Sequence, residues 1–511
     1  MKKLLLLAMT MLSTCFMSAQ IMKELPGMRY HAMSENGKWM LSVEQGWIGI
    51  LNTETDEFQQ YGGDPAVSYD LGMGNMVTND GFLVGAVNGM PSILDIENKT
   101  WTPLGLKEGD LYGATIANCI TPSRKYIVGG VYINGNTFGT IHMKPVIWSL
   151  QEDGKYSPYE ELPYPEKDFA GRAPQYILTN CISDDGTVIA AQLMTQDNEC
   201  MPIVYRKSQD GTWSYEVYDQ DIYEPGTKFP EFPTSEPTAP DLYEYMTPEE
   251  IEAYKKDSTA YEDSLWSYTI GESDVRPTYW PDKKYYASDE ANELFNEAWE
   301  KYQNDYAVFF EKLKAFREFY YENTNPMFYG QNAVWMSTNG KYYATTCNKN
   351  YTLGDAALFT IGETLEKHDY EDGLYGYCVT NDGDFFVSNT STAYVYPANS
   401  TDKITLQEWL RSKGETEAAD WLDNITTGTA ICSGDGRVIS GYSGLPGAYN
   451  SWIIKLDGTP TGITGIEQDG NSHVKAYDLQ GRIVAEGEYN EVRNNLKRGI
   501  YIINGRKVVV K

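Results

Sequence analysis

The sequence predicts an all-β chain, a seven-bladed β-propeller carrying an inserted α-helical hairpin and a small C-terminal β-sandwich domain. Three observations predict it. A short turn motif recurs seven times between apolar strands: Ser or Thr, two residues, then Gly in all copies but one. The composition, with 46 Gly, 40 Tyr and 12 Trp, suits a turn-dense, aromatic-rich β protein. One block of the 511 residues, 219–325, departs from the pattern in both charge and periodicity.

The chain opens with Lys2 and Lys3, the apolar run Leu4 to Met9, and small residues at Ser18 and Ala19. That order is the order of a secretory signal peptide, with cleavage expected after Ala19. Residues 1–19 are therefore set apart from the fold. The apolar run is too short for a membrane helix, which needs about 20 residues. Cys15 is a second candidate feature, for lipid attachment, but Thr14 before it fits that pattern poorly.

The repeats occupy 20–459. Their turns are Ser34-Glu-Asn-Gly37, Thr78-Asn-Asp-Gly81, Thr121-Pro-Ser-Arg124, Ser183-Asp-Asp-Gly186, Ser337-Thr-Asn-Gly340, Thr380-Asn-Asp-Gly383 and Ser433-Gly-Asp-Gly436. Asn-Gly and Asp-Gly between apolar stretches mark hairpins, because Gly accepts φ > 0 at no steric cost. Successive Ser/Thr positions lie 44, 43, 62, 154, 43 and 53 residues apart. Removing the 107 residues of 219–325 turns the 154 into 47. A period of about 40–50 residues is that of a four-stranded blade. Third strands are expected at Trp47–Leu51, Ser92–Ile96, Pro145–Trp148, Ile203–Tyr205, Ala357–Phe359, Ala393–Tyr396 and Ser451–Ile454. The seventh copy runs out of chain after its third strand, and residues 21–26 are left to supply the fourth.

The insert, 219–325, holds 25 acidic and 10 basic residues. Its start is a Pro-rich linker (Pro225, Pro230, Pro233, Pro237, Pro240). Thr247-Pro248-Glu249-Glu250 reads as a helix start, with Thr as cap, Pro in the first turn and acids at the positive end of the dipole. A second helix is expected from Ser288. Its apolar stripe would be Leu294, Phe295, Ala298, Trp299, Tyr302, Tyr306, Phe309, Leu313, Phe316 and Tyr320. The first helix carries its own apolar stripe, Ile251, Tyr254, Tyr261, Leu265 and Tyr268, and the two stripes are expected to pack on each other and on the repeats. The loop between them carries Tyr279, Trp280, Tyr285 and Tyr286. Four rings in a polar loop are a candidate stacking platform for a sugar or peptide. The competing reading is that they anchor the loop.

Residues 460–511 form a third unit. Short strands are expected at Val474–Asp478, Gly481–Ala485 and Gly499–Ile503, then a turn at Asn504-Gly505 and a last strand from Lys507.

Two resemblances bear on these units. The repeats resemble the HAF-type repeats of bacterial extracellular proteins, best over 406–455: Leu406-Gln-Glu-Trp-Leu410, Trp421-Leu422, Thr429 to Gly436, Val438-Ile-Ser-Gly-Tyr442, Ala448 and Trp452. This implies a surface-exposed β repeat array and brings no catalytic residues with it. The tail looks like the C-terminal sorting domain of the type IX (Por) secretion system of Bacteroidetes. The matching blocks are Tyr477-Asp-Leu-Gln-Gly-Arg482, Lys497 to Gly505 and Lys507-Val-Val-Val-Lys511. It implies passage across the outer membrane through that machinery, followed by release or surface anchoring.

The net charge of −31 repels phosphate backbones and anionic lipid heads, so nucleic acid is excluded as a partner. No segment beyond the signal could span a bilayer. No GxSxG, P-loop, HExxH or GxGxxG is present, and His31, His142, His368 and His473 are scattered. Catalytic residues, metal ligands and a cofactor are therefore not assigned. Cys119, Cys181 and Cys378 share one offset before their turns, as small buried apolar residues would, and the six cysteines past residue 19 read as mostly free thiols. The function these features predict is a secreted or cell-surface, non-catalytic protein binding a glycan, a peptide or a host protein. A hydrolase or lyase working on extracellular polysaccharide in the propeller funnel, and a structural envelope component, are the alternatives.

Overall fold

The structure is a computed structural model. It describes 21–456 apart from 26, 45–46, 63–68, 72–76, 88–89, 108–115, 134–140, 197–198, 271–273, 278–280, 326, 350–353, 371–372 and 446–447. Of the remainder it describes 473–477, 483–488, 492, 496, 499–503 and 506–510. The expected cleavage residue Ala19 lies outside the described residues. The chain divides into two compact units, Met1–Thr459 and Pro460–Lys511.

The first unit is mostly β. Each copy of the turn motif carries its own antiparallel group of strands. The first group is Tyr30–Met33, Trp39–Glu44, Trp47–Asn52 and Phe58–Gly62. Single parallel bridges, Met143 with Tyr176 and Cys200 with Phe328, join the third, fourth and fifth groups into one twelve-stranded sheet. The last group has Thr429–Cys432, Val438–Leu445 and Ala448–Lys455 from its own repeat. Its fourth strand is Ile21–Leu25, paired antiparallel to Ala448–Lys455 with Ile21 opposite Lys455. That is the pairing the leftover N-terminal residues anticipate.

The turn motif has a physical reason. In each copy the Ser or Thr hydroxyl accepts an amide at the start of the second strand or, at Thr380, the amide of Asp384 just before it. Ser34 takes Trp39 (3.0 Å), Thr78 takes Phe82 (3.0 Å), Ser183 takes Val188 (3.0 Å) and Ser433 takes Val438 (2.9 Å). Gly37 sits at φ +62° between them, where a side chain is strained. In the glycine-free third copy Arg124 adopts that conformation itself, at φ +63°.

The turns also touch one another in chain order. The Asn36 amide donates to Asn79 Oδ1 (2.8 Å), and Arg124 lies 3.6 Å from Asp80. The Ser123 amide donates to Asp184 Oδ1 (2.8 Å), and the Asp184 amide to the Thr338 carbonyl (2.9 Å). The Asn339 amide donates to Asn381 Oδ1 (3.0 Å), and the Asn381 amide to the Gly434 carbonyl (2.6 Å). The Gly434 amide then donates to Glu35 Oε2 (2.8 Å), so the contacts return to the first turn.

The insert leaves and re-enters at one point. Tyr223 bridges Thr324, and the Asn325 amide donates to the Ile222 carbonyl (2.7 Å). Helix α1 is Pro248–Thr269, with a full capping box between Thr247 and Glu250. Helix α2 is Asp289–Asn323, capped by the Ser288 hydroxyl. They do not form the expected antiparallel hairpin. The Ser288 amide donates to Glu250 Oε1 (2.8 Å), which puts the two N-termini side by side. The 22 residues of α1 span about 33 Å.

The stripes are accordingly buried only in part. The end of α2 packs Phe309, Leu313, Phe316 and Tyr320 against Phe169 and Ala170 of the body and Phe229 and Phe232 of the linker. Leu294 and Trp299, expected in that stripe, are 47% and 38% exposed. At the base of this contact lies Arg172, fully buried. Its Nε meets Asp168 Oδ2 at 2.9 Å, and its guanidinium lies 4.3 Å from the Tyr320 ring centre. Burial pushes the Asp168 carboxyl up, and Arg172 opposes this.

Two short helices, α3 (Leu406–Ser412) and α4 (Thr416–Leu422), fill the link between the last two repeats. They bury Trp409, Leu410 and Leu422 in the core. All six described cysteines are buried thiols.

The second unit has one four-stranded antiparallel sheet among its described residues. The order is Ile483–Glu488, His473–Tyr477, Gly499–Ile503, Arg506–Val510.

Candidate functional site

The insert contains a structural duplication. Pro240-Asp241 opens a 3₁₀ turn, Leu242–Glu244, and Pro281-Asp282 opens another, Lys283–Tyr285. In both, the Asp side chain accepts the amide two residues on, 3.1 Å from Tyr243 in one and 3.1 Å from Lys284 in the other. In both, a Tyr closes the turn (Tyr245, Tyr286) and a hydroxyl residue two positions later caps the long helix. The sequences agree at an offset of 41: Pro240-Asp241, Tyr245, Thr247, Glu249, Glu252, Tyr254 and Tyr261 against Pro281-Asp282, Tyr286, Ser288, Glu290, Glu293, Phe295 and Tyr302.

The two copies face each other across a cleft of about 1090 Å³. Pro240 and Pro281, with the rings of Tyr254 and Phe295, supply its apolar wall. The polar wall is made by two ion pairs. Lys283 Nζ meets Asp241 Oδ1 at 2.9 Å and sits 3.7 Å from the Tyr243 ring centre. Lys284 Nζ meets Asp282 Oδ2 at 3.2 Å and lies 4.9 Å from the Tyr285 ring centre. Asn292 and Asn296 complete the lining. The Asn292 Nδ2 donates back to the carbonyls of Lys284 (3.0 Å) and Ala287 (3.1 Å), which fixes the turn on the helix.

The predicted aromatic residues divide. Tyr285 lines the cleft and is 69% exposed. Tyr286 is an anchor: its ring packs edge-on to Tyr254 at 5.6 Å, and its hydroxyl donates to Asp257 Oδ2 (2.8 Å). Tyr279 and Trp280 lie outside the described residues. The residues that sequence reasoning missed are Asp241, Lys283, Asn292 and Phe295. The offset of 41 is the signal that finds them.

The electrostatics suit binding. The hydrogen bond from Lys283 holds the Asp241 carboxyl below its ordinary value. The Lys284 amide does the same for Asp282, and the Asp282 hydrogen bond raises the Lys284 ammonium. These groups stay ionised near neutrality, so none of them is poised to hand over or take a proton. Each positive charge is matched within the wall, which leaves a locally neutral cleft in an acidic insert.

A second cleft, about 640 Å³, lies between the fifth and sixth repeats and includes Lys367, His368, Glu366 and Tyr370. His368 Nε2 is 2.7 Å from Thr360 Oγ1, and Lys367 is drawn to Asp221 of the insert base. Desolvation would raise the Asp221 carboxyl, but the hydrogen bond and charge of Lys367 win and lower it. Among the described residues no three His, Cys, Asp or Glu side chains are grouped to hold a metal.

No protein-family model matches the chain, and no curated protein matches its sequence. Among solved structures it is similar to a chain of the mitotic checkpoint complex, with TM-score 0.40, 9% identity, and coverage of 86% of this chain and 91% of that one. It is similar to the β-propeller domain of Cps50 (Swd1) from Myceliophteria thermophila at TM-score 0.31 and 9% identity, over 73% and 82%. It is similar to TolB from Acinetobacter baumannii at TM-score 0.29 and 9% identity, over 76% and 65%. Each score is below 0.5, and none of these proteins lends the chain a function.

Proposed function

We propose that this chain is an exported, non-catalytic binding protein whose body is a seven-bladed β-propeller and whose ligand site is the cleft between the duplicated turns. The blade count rests on the seven turn motifs, each with its own strands, and on the return of the turn contacts to Glu35. One observation carries the binding role: two copies of a Pro-Asp turn enclose an aromatic-backed cleft in which each carboxylate is matched by a lysine. Such a wall suits an uncharged polyhydroxy ligand or an extended peptide, stacked on rings and hydrogen bonded to amides. The signal-like start and the sorting-domain resemblance of 460–511 support export through the type IX machinery to the cell surface or medium.

The test is a glycan and peptide array probed with the full chain and with Tyr285→Ala and Asn296→Ala. Neither residue is buried in the core, so both variants should fold. Loss of the same array signals in both is the expected result. Unchanged signals would move the site elsewhere. Export is tested separately, by placing 460–511 behind a reporter that carries the 1–19 segment in a type IX-competent host. A reporter retained in the periplasm would overturn that part.

A further inference from the structure

The six buried cysteines are not scattered. Cys378 and Cys432 lie in the first strands of consecutive repeats, with their sulfurs 3.2 Å apart. The Cys432 amide also donates to Cys378 Sγ (3.1 Å), so backbone and side chain approach together. Cys119 and Cys181 stand in the same relation three repeats earlier in the body, in the first strands of the third and fourth repeats. Their strands, Ile116–Ile120 and Tyr176–Ile182, are locked by Asn118 Nδ2 donating to the Thr179 carbonyl (2.7 Å). Each of the two cysteines follows a register shift, between Ala117 and Cys119 and between Thr179 and Cys181. Burial and the neighbouring Cys119 thiol both push the Cys181 thiol up.

Cys200 and Cys347 differ. Cys200 pairs with Phe328, whose strand separates it from the strand of Cys347. Two strand spacings put their Cα atoms about 9–10 Å apart. A disulfide needs roughly 4.4–6.8 Å.

We propose that Cys119–Cys181 and Cys378–Cys432 close as two disulfides between neighbouring repeats when the chain folds in an oxidising compartment, and that Cys200 and Cys347 stay thiols. The oxidant is a disulfide, either a small-molecule disulfide or that of a dithiol oxidoreductase. One cysteine thiolate attacks it and forms a mixed disulfide, releasing one oxidant thiolate. The second cysteine, deprotonated, attacks the mixed disulfide and releases the other. Two cysteine thiols are oxidised, the oxidant disulfide is reduced to two thiols, and the two protons end on those thiols. The exchange must precede burial, because folding hides the sulfurs and disfavours their thiolates. Each bond would tie one repeat to the next, at the places where the first strands already meet.

The test refolds the full chain from denaturant with oxidised and reduced glutathione, then alkylates under denaturing conditions and maps peptides by mass. Past residue 19, the expected result is two alkylated cysteines, Cys200 and Cys347, and two linked peptide pairs, 119 with 181 and 378 with 432. A parallel sample held in a dithiol reductant should show all six alkylated and a lower melting temperature. Six alkylated cysteines in the glutathione sample, or a linked pair involving Cys200 or Cys347, would overturn the proposal.

Discussion

Glu35 offers the sharpest test of how the first and last repeats meet. Its carboxylate accepts the Gly434 amide at 2.8 Å, across 399 residues of chain. Desolvation pushes its pKa up to about 7 from 4.5, with the Gly434 amide pulling down and Asp435 and Asp184 pushing up. A carboxyl whose pKa is raised on folding binds its proton more tightly in the folded state. Its contribution to stability is therefore greatest below pH 4.5, falls as pH rises toward 7, and is flat above. At about 1.4 kcal/mol per unit, the gap is worth about 3 kcal/mol, an upper bound because the side chain is partly open to solvent. Glu35→Gln keeps an oxygen for the Gly434 amide and removes the charge. The variant should match the wild type near pH 4.5 and exceed it by up to about 3 kcal/mol at pH 8. Urea unfolding of both proteins from pH 4.5 to 8 measures this. A stability difference that does not change with pH would refute the burial of that carboxylate between the two turns.

Arg172→Ala strands the Asp168 carboxylate in a dry site and removes the cation under Tyr320. Chemical denaturation should register a loss of about 3–5 kcal/mol. Gly37→Ala combines a φ of +62° with a Cβ that would lie 2.6 Å from Val438 Cγ1. It should cost at least about 1–2 kcal/mol in the same assay, whereas a neutral result would mean that the turn is not left-handed. A chain lacking 1–25 bares the edge of Ala448–Lys455, and light scattering should then report self-association.

The repeats were legible because each turn writes its own chemistry into the chain. A hydroxyl that must accept an amide, and a glycine that must turn left-handed, leave few choices at Ser34 and Gly37. The helix starts at Thr247 and Ser288 were legible for the same reason, since a cap is a local bargain between neighbours in sequence. The path between the helices was not. Apolar periodicity says which face of α2 can be buried, not what buries it, so Leu294 and Trp299 read as core although they are 47% and 38% exposed. Helices α3 and α4 are only seven residues each, too short for a periodic signal, and depend on the packing of Trp409 and Leu422. The cleft was half legible. Tyr285 stood out as an aromatic in a polar loop, whereas its partners across the gap come from a duplication whose identities are sparse.

The strand Ile21–Leu25 is made long before the strand it pairs with. Its partner Ala448–Lys455 leaves the ribosome more than four hundred residues later. At bacterial and eukaryotic elongation rates of about 5–20 residues per second, that is a wait of roughly 20–90 seconds. For all that time Ile21–Leu25 is without the strand it pairs with in the fold. A holding chaperone, or passage through a pore before folding, would be of most use in that interval.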